Sequence, residues 1–216
     1  MKRLRLFQIK DERALLLSRF SRFIFNTRRY YRVFFLVLGI SLKLFVLKST
    51  TDLTHFIVGL ILVMAGETFR VISAGYLHGR HTVTTIEADF LNTSGPYAYM
   101  RNPLYVGNFM VDFGICIVFN VWFFYPLYIA EFILLYTIII PYEEKFLKDR
   151  FGKDFDNYKD ATWAIVPKFR KYKSSHRVKP DFKASLRSEF ALICLLTGVF
   201  FLLYFLFVRE NPLVIF

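Results

Sequence analysis

The feature that most constrains this chain is a set of five apolar runs, at residues 30–47, 53–72, 104–120, 121–140 and 190–208, each set off by polar or basic residues. Each approaches the roughly 17–25 residues that a helix needs to cross the hydrocarbon core of a bilayer. In lipid, a backbone must satisfy its own polar groups, and a helix does so within one segment. The runs therefore predict an all-α polytopic membrane protein with about five transmembrane helices. The third and fourth runs share one stretch too long for a single crossing at about 1.5 Å per residue. A turn near Asn120 or at Tyr125-Pro126 is expected to fold it into a hairpin. Composition agrees, because 55% hydrophobic residues, 27 of the chain's residues being Phe, exceed what a soluble domain carries.

Charge sets the expected orientation. Lys2, Arg3, Arg5, Lys10, Arg13, Arg19, Arg22, Arg28, Arg29 and Arg32 precede or open the first run, whereas the connection between the first two runs offers only Lys48 and the hairpin turn none. The stretch from Tyr142 to Ser188 is again rich in lysine and arginine. By the positive-inside rule the N-terminus, the 73–103 loop and the 142–188 segment are expected to be cytoplasmic, with the tail RENPLVIF outside. That describes a multi-pass protein of a bacterial inner membrane or, in a eukaryote, of the endoplasmic reticulum. Basic flanks beside anionic headgroups account for the net charge of +12, and no nucleic-acid partner is expected.

The first 32 residues are too charged, and their apolar run too late, for a cleaved signal peptide. Leu4, Phe7, Leu15, Leu16, Phe20, Phe23 and Ile24 interleave with arginines, which predicts a basic amphipathic segment over 1–32 lying in the interface. Residues 33–188 then form the core, and 189–216 an additional C-terminal helix. Cys116 and Cys194 both sit in apolar runs and are expected to be buried free thiols. Signatures of phosphate-binding loops, dinucleotide folds and zinc proteases are missing. His78 and His81 stand three apart without further histidine or cysteine to complete four ligands, so no metal site is expected.

Two polar blocks flank the hairpin. The first reads LNTSGPYAYMRNPLYVGNF, residues 91–109, and the second PYEEKFLKDRFGKDFDNYKDATWAIVP, residues 141–167. Singly, Tyr97, Tyr99 and Tyr105 read as an interfacial aromatic belt, Arg101 as a positive-inside residue, and Glu143 with Glu144 as a solvated helix face on a short helix after Pro141. Proline stiffens the first block at Pro96 and Pro103, while Gly95 and Gly107 permit a bend or a close approach.

Jointly, the two blocks resemble the signature of the integral-membrane methyltransferases that include isoprenylcysteine carboxyl methyltransferases and phospholipid N-methyltransferases. In that family a Gly-x-Tyr turn leads into Arg-His-Pro-x-Tyr-x-Gly, followed after a hairpin by a Glu-Glu pair, a Phe-Gly, spaced tyrosines and a terminal proline. The likeness covers roughly residues 59–167, about half the chain. It implies a helical enzyme that moves a methyl group from S-adenosylmethionine to a membrane lipid or a lipidated small-molecule or protein substrate, by carboxyl O- or amine N-methylation.

Carried across by position, the resemblance assigns cofactor binding to Asp89, Phe90, Leu91 and Asn92 through backbone groups, and to Tyr97, Asn102, Pro103, Tyr105, Glu143 and Glu144. A carboxylate suits an α-ammonium, ribose hydroxyls and a cationic sulfonium. Arg101 is expected to hold the cofactor carboxylate or a substrate headgroup, and Asp112 to bind or deprotonate an amine acceptor. Four departures stand out: Asn102 replaces the usual histidine, Phe155 the first spaced tyrosine, Trp163 one terminal proline, and Ile139 the arginine with which isoprenylcysteine enzymes bind substrate. Within the apolar runs, Glu67 and Arg70 are three apart and expected to pair, and Asp112 and Glu131 fall at similar depths on the two hairpin arms, placed to hydrogen-bond between helices. The alternatives are an NADPH-dependent membrane reductase related to sterol reductases, a non-catalytic lipid-binding protein, and a transporter, although no inverted repeat supports the last.

Overall fold

In a computed structural model that describes residues 2–47, 51–77, 90–173 and 178–207, the tightest helix contact is made by four glycines. Gly59 and Gly66 lie seven apart on α2 (Leu53–Gly75), and Gly107 and Gly114 seven apart on α3 (Pro103–Phe119), so each pair shares a face. A Cβ on any of the four would come within 2.5 to 3.1 Å of the carbonyl oxygen of the glycine opposite. Small residues at such positions let two backbones approach, and that contact drives helix association where lipid offers no hydrophobic force. Around this pair the other helices assemble.

The N-terminal helix, α1 (Lys2–Ser41), runs without a break through residue 32 and ends in a short π-helical stretch, Leu42–Leu47. No boundary therefore divides the basic segment from the first apolar run. α2 starts at Asp52, whose side chain accepts from the backbone N–H of His55 at 2.8 Å, a helix N-cap. α3 stops at Asn120, which adopts a left-handed conformation (φ 50°). The last α3 carbonyls are taken up by Thr51, whose hydroxyl donates to Val118 O at 2.8 Å, and by Lys43, whose ammonium donates to Phe119 O at 2.7 Å. The hairpin thus turns at 120–123, and Pro126 lies inside the first turn of α4 (Phe124–Phe151).

α4 also runs straight through Pro141, so Glu143 and Glu144 extend the membrane helix itself and do not start a separate short one. The proline removes a single N–H, the one that would have bonded to the carbonyl four residues earlier at Thr137, and packing on α1 and α3 holds the helix together. Gly152, at φ 54°, turns the chain into α5 (Lys153–Ala161), with Asp154 and Asp156 in its first turn and Lys159 in its last, matching the helix dipole. α6 (Phe182–Phe207) begins with Asp181 accepting from the Ala184 N–H at 2.9 Å and packs on α2.

Among the described residues, three helices are long and apolar enough to cross a membrane: Leu53–Gly75, Phe124–Phe151 and the Phe182–Phe205 stretch of α6. Tyr30–Ser41 and Pro103–Phe119 are shorter apolar helices that occupy the other two runs. The all-α polytopic architecture is as the sequence predicts. The core is aromatic, with Phe25, Phe119, Phe124, Tyr128, Phe132 and Tyr136 buried between α1, α3 and α4. Cys116 is a buried free thiol, but Cys194 is exposed on the outer face of α6, among apolar side chains that have no protein to cover them.

Candidate functional site

The two sequence blocks meet. Gly95–Ala98 forms a 3-10 turn whose glycine takes φ 59° and whose Cα lies against the Tyr76 ring, so that a side chain there would collide with it. After the turn, residues 98–102 run beside 163–172. The Arg101 N–H donates to Trp163 O at 2.9 Å, the Asn102 N–H to Ala164 O at 2.9 Å, the Lys168 N–H to Tyr99 O at 2.9 Å and the Tyr172 N–H to Ala98 O at 2.8 Å. Tyr158, buried on α5, adds a hydroxyl bond to Tyr97 O at 2.7 Å. The Asn102 amide also donates to Ala164 O at 3.1 Å, so the residue that departs from the family histidine fastens one block to the other.

Arg101 is consumed in the same way. Its Nε donates to Glu144 at 2.8 Å, and its Nη1 donates to Lys159 O at 3.0 Å and to Thr162 O, at the carbonyl end of α5. Lys159 holds the other Glu144 oxygen at 2.7 Å. The structure thus gives Arg101 and Glu144 a bracing role that joins α3's entry, α4 and α5.

These contacts enclose a cavity of about 210 Å³ lined by Phe90, Leu91, Asn92, Tyr97, Arg101, Asn102, Tyr105, Glu143 and Glu144. Arg28, Leu77, Leu104, Leu147, Phe155 and Tyr158 complete the wall. Pro103 is not among the lining residues; it is buried as the first residue of α3. Asp89, like His78 and His81, lies outside the described residues. Asn92 shapes the wall by donating to Tyr76 O at 2.8 Å and accepting from the Ser94 N–H at 3.0 Å.

Two polar groups in the cavity set its chemistry. Glu143 accepts from the Tyr105 hydroxyl at 2.5 Å, leaving a carboxylate with capacity for further donors. The Tyr97 hydroxyl is buried and has no hydrogen-bond partner among the described residues, and burial pushes its phenol far up, so it remains a protonated donor. A buried hydroxyl without a partner costs about 1–3 kcal/mol, and here it belongs to a residue of the cavity wall.

Asp112 lies elsewhere. Its carboxylate takes a two-pronged bond from Arg32 on α1, at 2.6 and 2.8 Å, and a long one from Tyr128 at 3.4 Å. Both oxygens of the carboxylate expected to bind or deprotonate an acceptor are thus engaged by Arg32. Glu131 is not its partner. Arg70 lies 3.2 Å from Glu67, as the spacing implies, yet its strong contact is with Glu189 on α6, at 2.7 and 2.8 Å. Asn108 joins the set, accepting from Arg70 and donating to the Tyr136 hydroxyl at 3.0 Å. The sequence reading missed Asn108, Glu189 and Arg28. Asn108 sits midway between Tyr105 and Asp112 on one α3 face, a spacing of three and four that could have marked it; Glu189 and Arg28 carry no such sign.

Residues 54–154, just under half of the chain, match the phospholipid methyltransferase family. That class is one of integral-membrane methyltransferases, and the matched segment contains α2, α3, α4 and both glutamates. Two relatives are similar over a comparable stretch. The nickel-cobalt-cadmium resistance protein NccN of Alcaligenes xylosoxydans xylosoxydans is 29% identical over 117 residues, 54% of this chain and 52% of its own length. The cobalt-zinc-cadmium resistance protein CzcN of Cupriavidus metallidurans is 31% identical over 115 residues, 53% of this chain and 50% of its own length. The chain therefore spans about half the length of the relatives it matches. No solved structure matches it.

Proposed function

We propose that this chain is an integral-membrane methyltransferase that uses S-adenosylmethionine and acts on a membrane lipid or a lipidated acceptor. The observation that carries this reading is the pairing of Glu143 with Tyr105 inside one cavity, beside the buried, unpartnered Tyr97 hydroxyl. The donor set fits the cofactor: a carboxylate for its ammonium or ribose hydroxyls, a phenol donor for its acceptors, and the apolar walls Leu77, Leu104, Leu147 and Phe155 for its base. Phe90, Leu91 and Asn92 close one side of the same wall, next to Asp89.

When bound, the cofactor supplies an electrophilic methyl on a sulfonium. The protein's part is to hold and orient, and to keep water out of an in-line displacement. Tyr105 holds the Glu143 carboxylate in place, Arg101 and Lys159 fix Glu144, and Asn102 and Tyr158 lock the two blocks around the cavity. Asp112 has no part in this scheme, since it braces α1 against α3.

The basic flanks, read by the positive-inside rule, support a cavity on the cytoplasmic side, where S-adenosylmethionine is made, next to lipid headgroups. The relatives' names concern resistance to metals. Among the described residues of this chain, no three His, Cys, Asp or Glu side chains group so as to hold a metal ion, and the present reading rests on the cavity.

Calorimetry on the full chain in detergent, with S-adenosylmethionine and NADPH in separate runs, tests the reading, followed by transfer of radiolabelled methyl groups in membranes and separation of the lipid, protein and small-molecule fractions. Saturable binding of S-adenosylmethionine is expected, with labelling that is lost in Glu143→Ala. Binding of NADPH alone would overturn the proposal in favour of a reductase.

A further inference from the structure

Arg28 reaches the cavity from α1, a helix outside the family segment. Three other arginines of the bundle and the cavity wall are tightly held by acids: Arg32 by Asp112 at 2.6 Å, Arg70 by Glu189 at 2.7 Å and Arg101 by Glu144 at 2.8 Å. Among the described residues, Arg28 has no carboxylate that near: its Nη1 lies 4.0 Å from Glu143 Oε1, and its hydrogen bond to Phe25 O is long at 3.4 Å. The guanidinium stacks 3.7 Å over the Phe25 ring, which orients its plane and leaves most of its five donors unspent.

Depth adds a second argument. Phe20, Phe23 and Tyr30, on either side of Arg28 along α1, are large apolar or amphipathic side chains more than half exposed, a pattern of residues that sit at the level of headgroups. A half-buried cation at that level, opening on a cavity in which Glu144 is engaged by Arg101 and Lys159 and Glu143 stays 4.0 Å away, attracts an anion.

We propose that Arg28 is a specificity residue, recognising the carboxylate or phosphate of an amphiphilic acceptor as its headgroup enters the cavity. The inference rests on the methyltransferase reading for its consequence. An anion at Arg28 has two sources, the acceptor and the cofactor's own carboxylate, and the place of Arg28 on α1, outside the matched segment and beside side chains at headgroup level, assigns it to the acceptor.

The full chain in phosphatidylcholine nanodiscs tests this with dodecyl phosphate and dodecanoate as anionic probes and dodecylamine as the cationic control, each measured for saturable binding, and with S-adenosylmethionine measured separately. Both anionic probes are expected to bind, and Arg28→Gln to weaken them about 10- to 100-fold, with Arg28→Lys in between because it keeps charge but loses the planar fork. The dissociation constant of S-adenosylmethionine is expected to change less than those of the anionic probes. Arg28→Gln protein that elutes as a folded monodisperse species and binds the anionic probes like the native chain overturns the proposal. So does a variant that loses S-adenosylmethionine while keeping the probes, since that gives Arg28 to the cofactor. Anionic probes bound through Arg28 with no S-adenosylmethionine binding at all leave the anion site standing and sink the methyltransferase reading instead.

Discussion

At the residue scale the cavity depends on side chains whose partners differ in kind. Tyr97 keeps a buried hydroxyl with nothing to bond, so its removal and its use point in opposite directions. Tyr97→Phe is expected to leave thermal stability equal or higher by up to about 2 kcal/mol, because a desolvated donor is deleted, and yet to weaken S-adenosylmethionine binding several-fold. Thermal unfolding in detergent and calorimetry on the same preparation read the two effects separately. Glu143→Gln and Tyr105→Phe are expected to lower cofactor affinity about 10-fold or more, since a hydrogen bond to a charged group is worth about 1.5–3 kcal/mol. Unchanged affinity in both would remove the carboxylate from the site. Asn102 behaves differently: its contact is to Ala164 O, so Asn102→Ala should cost about 1 kcal/mol of stability through loosened blocks.

At the element scale, helix ends and helix faces carry the risk. The α2–α3 contact leaves no room for a Cβ at Gly66 or Gly114, where the nearest facing atoms include backbone. Gly66→Leu is expected to cost at least about 1–3 kcal/mol, measured as a fall in unfolding midpoint, because helix backbones cannot move aside as a side chain can. The N-cap of α2 gives a pH signature. The His55 N–H bond, followed by the His55 side chain, holds the Asp52 carboxyl below its usual value. With the folded value depressed, this stabilisation is complete above the ordinary carboxylate range near pH 4 and is lost as pH falls through the folded value. Unfolding curves taken between about pH 6 and pH 3 should therefore show native protein losing more stability than Asp52→Asn, which keeps a cap without the charge.

At the scale of the whole molecule, ion pairs, one half-buried and one buried, tie the outer helices to the central pair. Arg32 with Asp112 joins α1 to α3, and Arg70 with Glu189 joins α2 to α6. Breaking one side leaves a half-buried charge without compensation, so Asp112→Asn is expected to destabilise by about 1–3 kcal/mol, and Arg32→Leu combined with Asp112→Leu to recover much of that loss. Denaturation midpoints of the single and the double variant check this. The orientation is testable too. With Cys116 and Cys194 replaced by alanine, Trp122→Cys on the hairpin turn and Lys148→Cys beyond the glutamates should react with a membrane-impermeant maleimide from opposite sides of sealed vesicles, Lys148→Cys from the cytoplasmic side.

Much of this was legible in the chain itself, for identifiable reasons. Five apolar runs imposed an all-α membrane architecture because lipid admits few other backbones, and the turn at Asn120 was one of two places left by the length of the third stretch. Both blocks were visible as blocks, and most residues singled out in them line one cavity. What local pattern could not show was how charge is shared across distance. Arg101, Glu144 and Asp112 carry charge in any fold, but only the packing of α1, α4 and α5 decides that Arg101 braces Glu144 and that Asp112 is spent on Arg32. Likewise the continuity of α4 through Pro141 rests on neighbouring helices holding a turn that proline weakens. Apolar length is a property of consecutive residues and survives in the sequence. Whether an ionisable group is a reagent or a strut depends on which opposite charge lies within about 3 Å, and that is fixed only when helices far apart in the chain come together.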